Sequence, residues 1–230
     1  MNRLIYPDIF TGLPVTAFFT GKDPGADTGE IGGILGIEGS DIYLPVQKHT
    51  DKIHLLETDR SPVIADAVLT KEKGVLTGIK AADCVPVLIY DRKKHVAGAV
   101  HAGWRGTAAG ILLKTINTAA ESFFCAGEDI VVAIGPSIRW CCYGVDYDVV
   151  RAVVQATGKG EYVLERGGKY CLDLAAANKY QALSAGVPEQ NIWISGDCTY
   201  CRPERFFSYR YAKGTTGRQG AFIGNLKPNY

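Results

Sequence analysis

The sequence predicts a single-domain α/β (α+β) fold, a sandwich of mixed β-sheets flanked by helices, over residues 1–230. Three observations predict it. Short runs rich in Val, Ile and aromatic residues outnumber the stretches of helical period. The two kinds do not alternate strictly, so a regular βαβ succession does not fit and a mixed-sheet sandwich does. The chain has 230 residues, 47% of them hydrophobic, which suffices to bury one large core without disulfide staples.

Strand period appears at residues 14–20, 42–46, 63–69, 85–90, 95–100, 130–134 and 192–195, and a closing pair of strands is expected at 206–211 and 221–223. Segment 21–39 holds seven glycines in 19 positions and reads as a long loop, too loose for a core element. The first helical stretch, 107–124, places Ile111, Leu112, Thr115, Ile116 and Ala119 on one face, with Thr107 as N-cap after Gly106. The second, 145–156, carries Val149, Val150, Val153 and Val154 and stops at Gly158. The third opens at Asp173, turns Leu174, Ala177, Tyr180 and Leu183 inward, and stops at Gly186 just ahead of Pro188.

Charge and cysteine usage bound the function. Lys plus Arg is 25 and Asp plus Glu is 24, a formal charge of +1, which supplies no broad field for a nucleic-acid backbone. No apolar run approaches the ~18 residues a membrane helix needs, so no membrane partner is expected. Seven cysteines are spread along the chain, and residues 1–10 lack the basic-then-apolar shape of a signal peptide. Reduced thiols and a cytoplasmic location are the expectation.

The densest chemistry lies in two segments. Asp83 and Cys84 precede the run 85–90, and His101 follows the run 95–100, ahead of Gly103-Trp104-Arg105-Gly106. If the two runs form a hairpin about residues 91–94, Cys84 and His101 emerge together at its open end. His49, in Gln47-Lys48-His49-Thr50, offers a second imidazole from a strand terminus. One thiolate and two neutral imidazoles suit Zn²⁺ with an open fourth position. The same residues equally fit a buried core thiol with hydrogen-bonded loop histidines. Gly103 and Arg105, with the start of the helix at Thr107, suggest an anion site, although a plain turn and a surface cation have the same pattern. Arg210 and Arg218 near the C-terminal strands are further anion candidates or solvated charges. Cys141-Cys142 with Cys198 and Cys201 invites a four-cysteine zinc reading, but adjacent cysteines are not expected to reach one metal without strain.

These segments resemble the laccase-domain family, also called YfiH-like or polyphenol oxidase-like proteins. The likeness is strongest over residues 65–112 and continues through Gln47-Lys48-His49, residues 133–145 and the closing segments, roughly 46–224 in all. The resemblance implies the single-domain sandwich and a zinc site made by His49, Cys84 and His101. It also implies phosphorolysis of adenosine, inosine or methylthioadenosine, with adenosine deaminase activity, so that purine nucleoside and phosphate are the expected partners. One departure stands out. Relatives carry an Arg after the first strand, where this chain reads Phe18-Phe19-Thr20-Gly21-Lys22, so Lys22 would have to hold phosphate as a point charge.

Four functions follow for comparison. The first is a zinc-dependent purine nucleoside phosphorylase and adenosine deaminase, with Arg105 on phosphate and Asp83 as the proton-transfer group or a ligand orienter. The second is a copper-dependent polyphenol oxidase, for which four histidines are too few to build the imidazole-rich centres of a multicopper enzyme. The third takes Cys84 as nucleophile and His101 as its base, a hydrolase or deamidase that includes peptidoglycan-editing amide hydrolysis. The fourth is a nucleoside- or metal-binding protein without turnover.

Overall fold

Val85, Val87 and Ile89 alternate with Leu88 and Tyr90, and all five are buried, so this strand lies between two apolar layers. The computed structural model describes residues 4–226. Along the chain run β1 (Leu4–Ile5), β2 (Thr16–Thr20), α1 (Thr28–Leu35), β3 (Ile42–Tyr43), β4 (Ile53–Leu56), β5 (Ala67–Thr70), β6 (Leu76–Ala81), β7 (Val85–Asp91) and β8 (Ala97–Ala102). Then follow α2 (Trp104–Ala108), α3 (Ile111–Phe123), β9 (Ile130–Ile134), β10 (Gly144–Val145), α4 (Tyr147–Thr157), β11 (Val163–Arg166), β12 (Lys169–Leu172), α5 (Leu174–Ser184), β13 (Ile192–Ile194) and β14 (Gln219–Gly224).

A six-stranded mixed sheet in the order β13-β9-β7-β8-β5-β4 packs on a five-stranded one in the order β1-β2-β14-β6-β3. Leu88, Tyr90, Ala97, Ala99 and Ala133 from the first meet Phe19, Ile79, Ala221 and Ile223 from the second, forming the core between the sheets. The other face of the six-stranded sheet presents Val85, Val87, Ile89 and Val100 to Ile111, Leu112 and Ile116 of α3 and Ala177 of α5. A small sheet, β10-β12-β11, completes the domain. The predicted sandwich of mixed sheets flanked by helices is the observed architecture.

Several elements differ from expectation. The glycine-rich segment is not a loop throughout, because it contains α1. The Asp27 side chain accepts the Glu30 N–H at 2.9 Å as N-cap, Gly36 closes the helix with φ 69°, and Ile31 is fully buried with Phe18, Leu76 and Phe222 on the outer face of the five-stranded sheet. An exposed apolar sheet face needed covering, and that demand outweighs the low helix propensity of glycine. The expected helix 107–124 is two helices, separated by Gly110 at φ 72°. Thr107 is no cap: it is buried inside α2, its N–H donates to the Gly103 carbonyl at 2.8 Å, and its hydroxyl accepts from Asn178. The expected strand 206–211 is a set of turns, with the Arg210 N–H committed to Asp83 and the Ala212 N–H to the Ser208 carbonyl.

The strands 42–46 and 63–69 shrink to β3 and β5, and Val46 meets Ile64 in an isolated bridge. β4, β6 and β10–β12 were not expected. The hairpin β11–β12 turns at Gly167-Gly168, both at positive φ. No helix among the described residues is long and apolar enough to cross a membrane.

Leu88 is fully buried between the two sheets. Leu88→Ala is expected to lower unfolding free energy by about 2–5 kcal/mol, as read by urea denaturation.

Candidate metal centre and its cavity

In the β7–β8 hairpin Pro86 pairs with His101 and Val85 with Ala102. Cys84 and His101 therefore arrive side by side at the open end. The turn at the other end is fixed by the Asp91 carboxylate, which accepts the Lys93 and Lys94 N–H groups at 2.8 and 2.7 Å. His49, at φ 57°, comes from the segment after β3, and one ligand atom each from His49, Cys84 and His101 lies within 4.8 Å of the others. Gly103 makes room for them. A Cβ there would stand 2.9 Å from Cys84 Sγ and 3.3 Å from His49 Cδ2.

Asp66 organises this trio, and the sequence reading did not single it out. Its side chain is inaccessible to solvent and its carboxylate accepts five hydrogen bonds: from the backbone N–H groups of Lys48, His49 and Thr50, from the Thr50 hydroxyl, and from His101 Nδ1 at 2.8 Å. The Asp66 carbonyl also accepts the His101 N–H at 2.8 Å. Burial opposes the carboxylate charge, but the bonds from His101, Thr50 and Lys48 outweigh it and hold the carboxyl well below the usual range. The visible signal was an aspartate between Ala65 and Ala67 in an apolar run, which a folded chain must pair.

With Nδ1 on Asp66, His101 keeps Nε2 for a metal, the carboxylate–histidine–metal arrangement that orients such ligands. Without a metal the pair is polarised. Burial pushes the Cys84 thiol up, yet the neighbouring His101 and His49 outweigh it and bring it down to about 6. Burial pulls the His101 imidazole down, yet the Cys84 thiolate and Asp66 push it up to about 9. His54 and His95 lie elsewhere: the His54 ring packs on Tyr43 at 5.5 Å, and His95 Nδ1 is 2.7 Å from the Tyr90 hydroxyl.

The trio opens into a cavity of about 930 Å³ whose wall includes Trp104, Arg105, Tyr143, Arg210 and Arg218. Arg105 lies 4.4 Å from the Trp104 ring centroid and Arg210 lies 5.2 Å from that of Tyr143. Asp83, at φ 82°, also lines it. One of its oxygens accepts the Thr199 hydroxyl at 2.6 Å and the other the Arg210 N–H at 2.7 Å, so it clamps the segment carrying Arg210. Lys22 is not in this wall, and its Nζ sits 5.5 Å over the Phe207 ring. The anion site expected at the Thr107 N–H is likewise closed by the Gly103 carbonyl. Cationic character at the cavity comes from Arg105, Arg210 and Arg218, with Lys80 also on its wall.

Residues 28–225 match the family model described as multi-copper polyphenol oxidoreductase laccase, a wider span than the motifs alone suggested. A purine nucleoside phosphorylase, YlmD, of Geobacillus stearothermophilus is 43% identical over 162 residues, covering 69% of this chain and 59% of the relative, so the chain spans under two thirds of that protein's length. An adenosine deaminase, RL5, of an unknown prokaryotic organism is 32% identical over 197 residues, 80% of this chain and 75% of its own. The crystal structure of YlmD from Geobacillus stearothermophilus superposes with a TM-score of 0.88 at 33% identity, covering 96% of this chain and 94% of that one. With its sandwich fold and the family model matched over most of its length, this chain belongs to the laccase-domain, YfiH-like family.

Proposed function

We propose that the protein is a zinc-dependent purine nucleoside phosphorylase that also deaminates adenosine, with zinc held by His49, Cys84 and His101. One observation carries the reading: a three-ligand trio, oriented by a buried carboxylate, opens into the same cavity as Arg105, Arg210 and Arg218. The donor set fits. Two imidazoles and a thiolate are zinc ligands, and three of them leave a position for substrate or water. When bound, zinc would supply a Lewis acid at the cavity floor.

The chain's own residues do the rest. The guanidiniums of Arg105, Arg210 and Arg218 offer planar forks that match phosphate, and Lys22 drops out of this role because it lies on Phe207. In phosphorolysis a phosphate oxygen forms the bond to the ribose anomeric carbon as the bond to the purine nitrogen breaks. The base leaves with the electron pair and takes up a proton. Apolar side chains of Leu44, Pro45, Ile138 and Leu174 line the cavity and would exclude water around the base. In deamination water adds at purine C6 and the amino group leaves as ammonia, taking up a proton that must be moved to it from the water. Asp83 remains the candidate for that transfer, since each of its oxygens keeps a lone pair beyond its bond to Thr199 or Arg210.

The preferred setting is a reducing, cytoplasmic one, in keeping with seven free thiols. The substrates are small molecules, and a net charge of +1 gives no reason to add nucleic acid as a partner.

A second reading is favoured by the polarised Cys84–His101 pair, which in metal-free protein has the character of a cysteine nucleophile beside its base. It predicts amide hydrolysis that zinc suppresses.

Four outcomes test these readings. Zinc-loaded protein given adenosine and phosphate is expected to yield adenine and ribose 1-phosphate by chromatography. Arg105→Ala should raise the KM for phosphate tenfold or more, the loss of a charge-assisted contact of about 1.5–3 kcal/mol. Absence of ribose 1-phosphate removes the phosphorylase. Asp66→Asn is expected to weaken zinc binding about 10–100-fold in chelator competition, while an unchanged affinity would show that the carboxylate does not tune the ligand. Alkylation of Cys84 in chelator-treated protein is expected to rise with pH through about 6 and not through the ~8.5 of a free thiol, because a lowered pKa keeps the thiolate populated as pH falls. Zinc should protect it, whereas metal-independent alkylation together with amide hydrolysis would favour the second reading.

A further inference from the structure

Cys141, Cys142, Cys198 and Cys201 come together behind the cavity wall, and their four sulfurs all lie within 4.8 Å of one another. Cys141 Sγ is 3.7 Å and Cys142 Sγ 3.2 Å from Cys201 Sγ. Four sulfurs each about 2.3 Å from a tetrahedral zinc stand about 3.8 Å apart, whereas a disulfide needs about 2.05 Å. The spacing matches a shared metal and not a pair of bonded sulfurs.

The vicinal pair, which seemed to forbid this, is accommodated by a turn. The Cys142 and Tyr143 N–H groups both donate to the Arg139 carbonyl, at 2.9 and 3.0 Å, curling residues 139–143 so that both thiols reach Cys201. Arg139 is itself anchored by Asp173 and by the Ser195 carbonyl. The second pair is curled too, with the Arg202 N–H donating to the Cys198 carbonyl at 3.2 Å. Ser137 and Cys198 pair as an isolated bridge, which brings the two turns alongside each other. The Arg139 N–H points at Cys198 Sγ at 3.5 Å, a bond that favours a thiolate.

From this geometry we propose that Cys141, Cys142, Cys198 and Cys201 bind a second zinc ion, separate from the His49, Cys84 and His101 trio. Four thiolates close the tetrahedron, so the site has no open position and its role is structural. It joins the segment carrying Tyr143, which lines the cavity, to the segment carrying Thr199. Tyr143 follows Cys142 directly, and Thr199, which follows Cys198, donates to Asp83, whose other oxygen holds the Arg210 N–H. Metal here would fix Tyr143 and Arg210 relative to each other. The proposal does not depend on what the cavity binds.

Metal analysis of the full chain, purified under reducing conditions with zinc present, tests it. Wild type should hold two zinc ions per chain. Cys201→Ser and Cys141→Ser should each hold one, and His101→Ala should hold one while keeping the other site. Cobalt exchange separates the centres without relying on a stable variant: strong thiolate charge-transfer absorption should survive His101→Ala and fall sharply in Cys141→Ser, where the altered residue is exposed. One zinc per chain that is lost in His101→Ala and unchanged in Cys201→Ser overturns the proposal. So does a reduced-preparation mass lacking two hydrogens, with the Cys142 and Cys201 peptides linked.

Discussion

The buried carboxylate of Asp66 is the constraint on which the site depends. Taking a carboxylate out of water costs several kcal/mol unless its lone pairs are filled, and here five donors fill them. Three of those donors are consecutive backbone N–H groups of Lys48, His49 and Thr50, so meeting the demand of one charge also fixes where His49 stands. A fourth is the His101 ring, which fixes the face that imidazole turns to Cys84. One aspartate thereby positions both histidines, though they lie far apart in sequence.

The sandwich makes that position usable. β7 is buried on both faces, so a one-residue slip of the hairpin it forms with β8 would exchange Val87 and Leu88 between two differently shaped cores, which pins the register. Cys84 and His101 are held at its end by the cores on either side. The loops that complete the cavity come from distant parts of the chain, and polar clamps hold them: Asp83 to Thr199 and Arg210, and Arg139 to Asp173 and Ser195. A rigid floor with polar-clamped walls is the general division between scaffold and site in α/β folds.

Period and punctuation made the layers, the β7–β8 hairpin and the helices α4 and α5 legible in the sequence, because each rests on local pattern. The juxtaposition of Cys84 with His101 followed from the hairpin alone. What escaped rests on long-range contacts. α1 forms because Ile31 covers a sheet face built from Phe18 and Phe222, at opposite ends of the chain. Lys22 looked like a substitute for a missing guanidinium, but the cations that line the cavity beside Arg105 are Lys80, Arg210 and Arg218, and Arg210 stands in a turn where a strand was expected. The vicinal cysteines were discounted on local geometry, yet the turn at Arg139 removes the strain. The thiols also differ in ways no spacing reveals: burial, with Asp91 nearby, pushes Cys125 up to about 12, while histidines bring Cys84 down to about 6.

Family membership and chemistry part company at the histidines. The family description names copper and polyphenols, but membership in a fold family does not carry its chemistry with it. Of the four histidines, His54 is packed on Tyr43 and His95 is bonded to Tyr90, which leaves two imidazoles and one thiolate at the cavity. That set can serve a single metal. Among the described residues the other cluster able to hold a metal consists of four cysteines and contains no imidazole. A multicopper oxidase needs several centres with imidazole-rich ligation to pass electrons to oxygen, and the donors for a second such centre are absent from these clusters. The single His₂Cys trio facing guanidiniums across an apolar-lined cavity is instead suited to binding an anion and a flat heterocycle next to one Lewis acid.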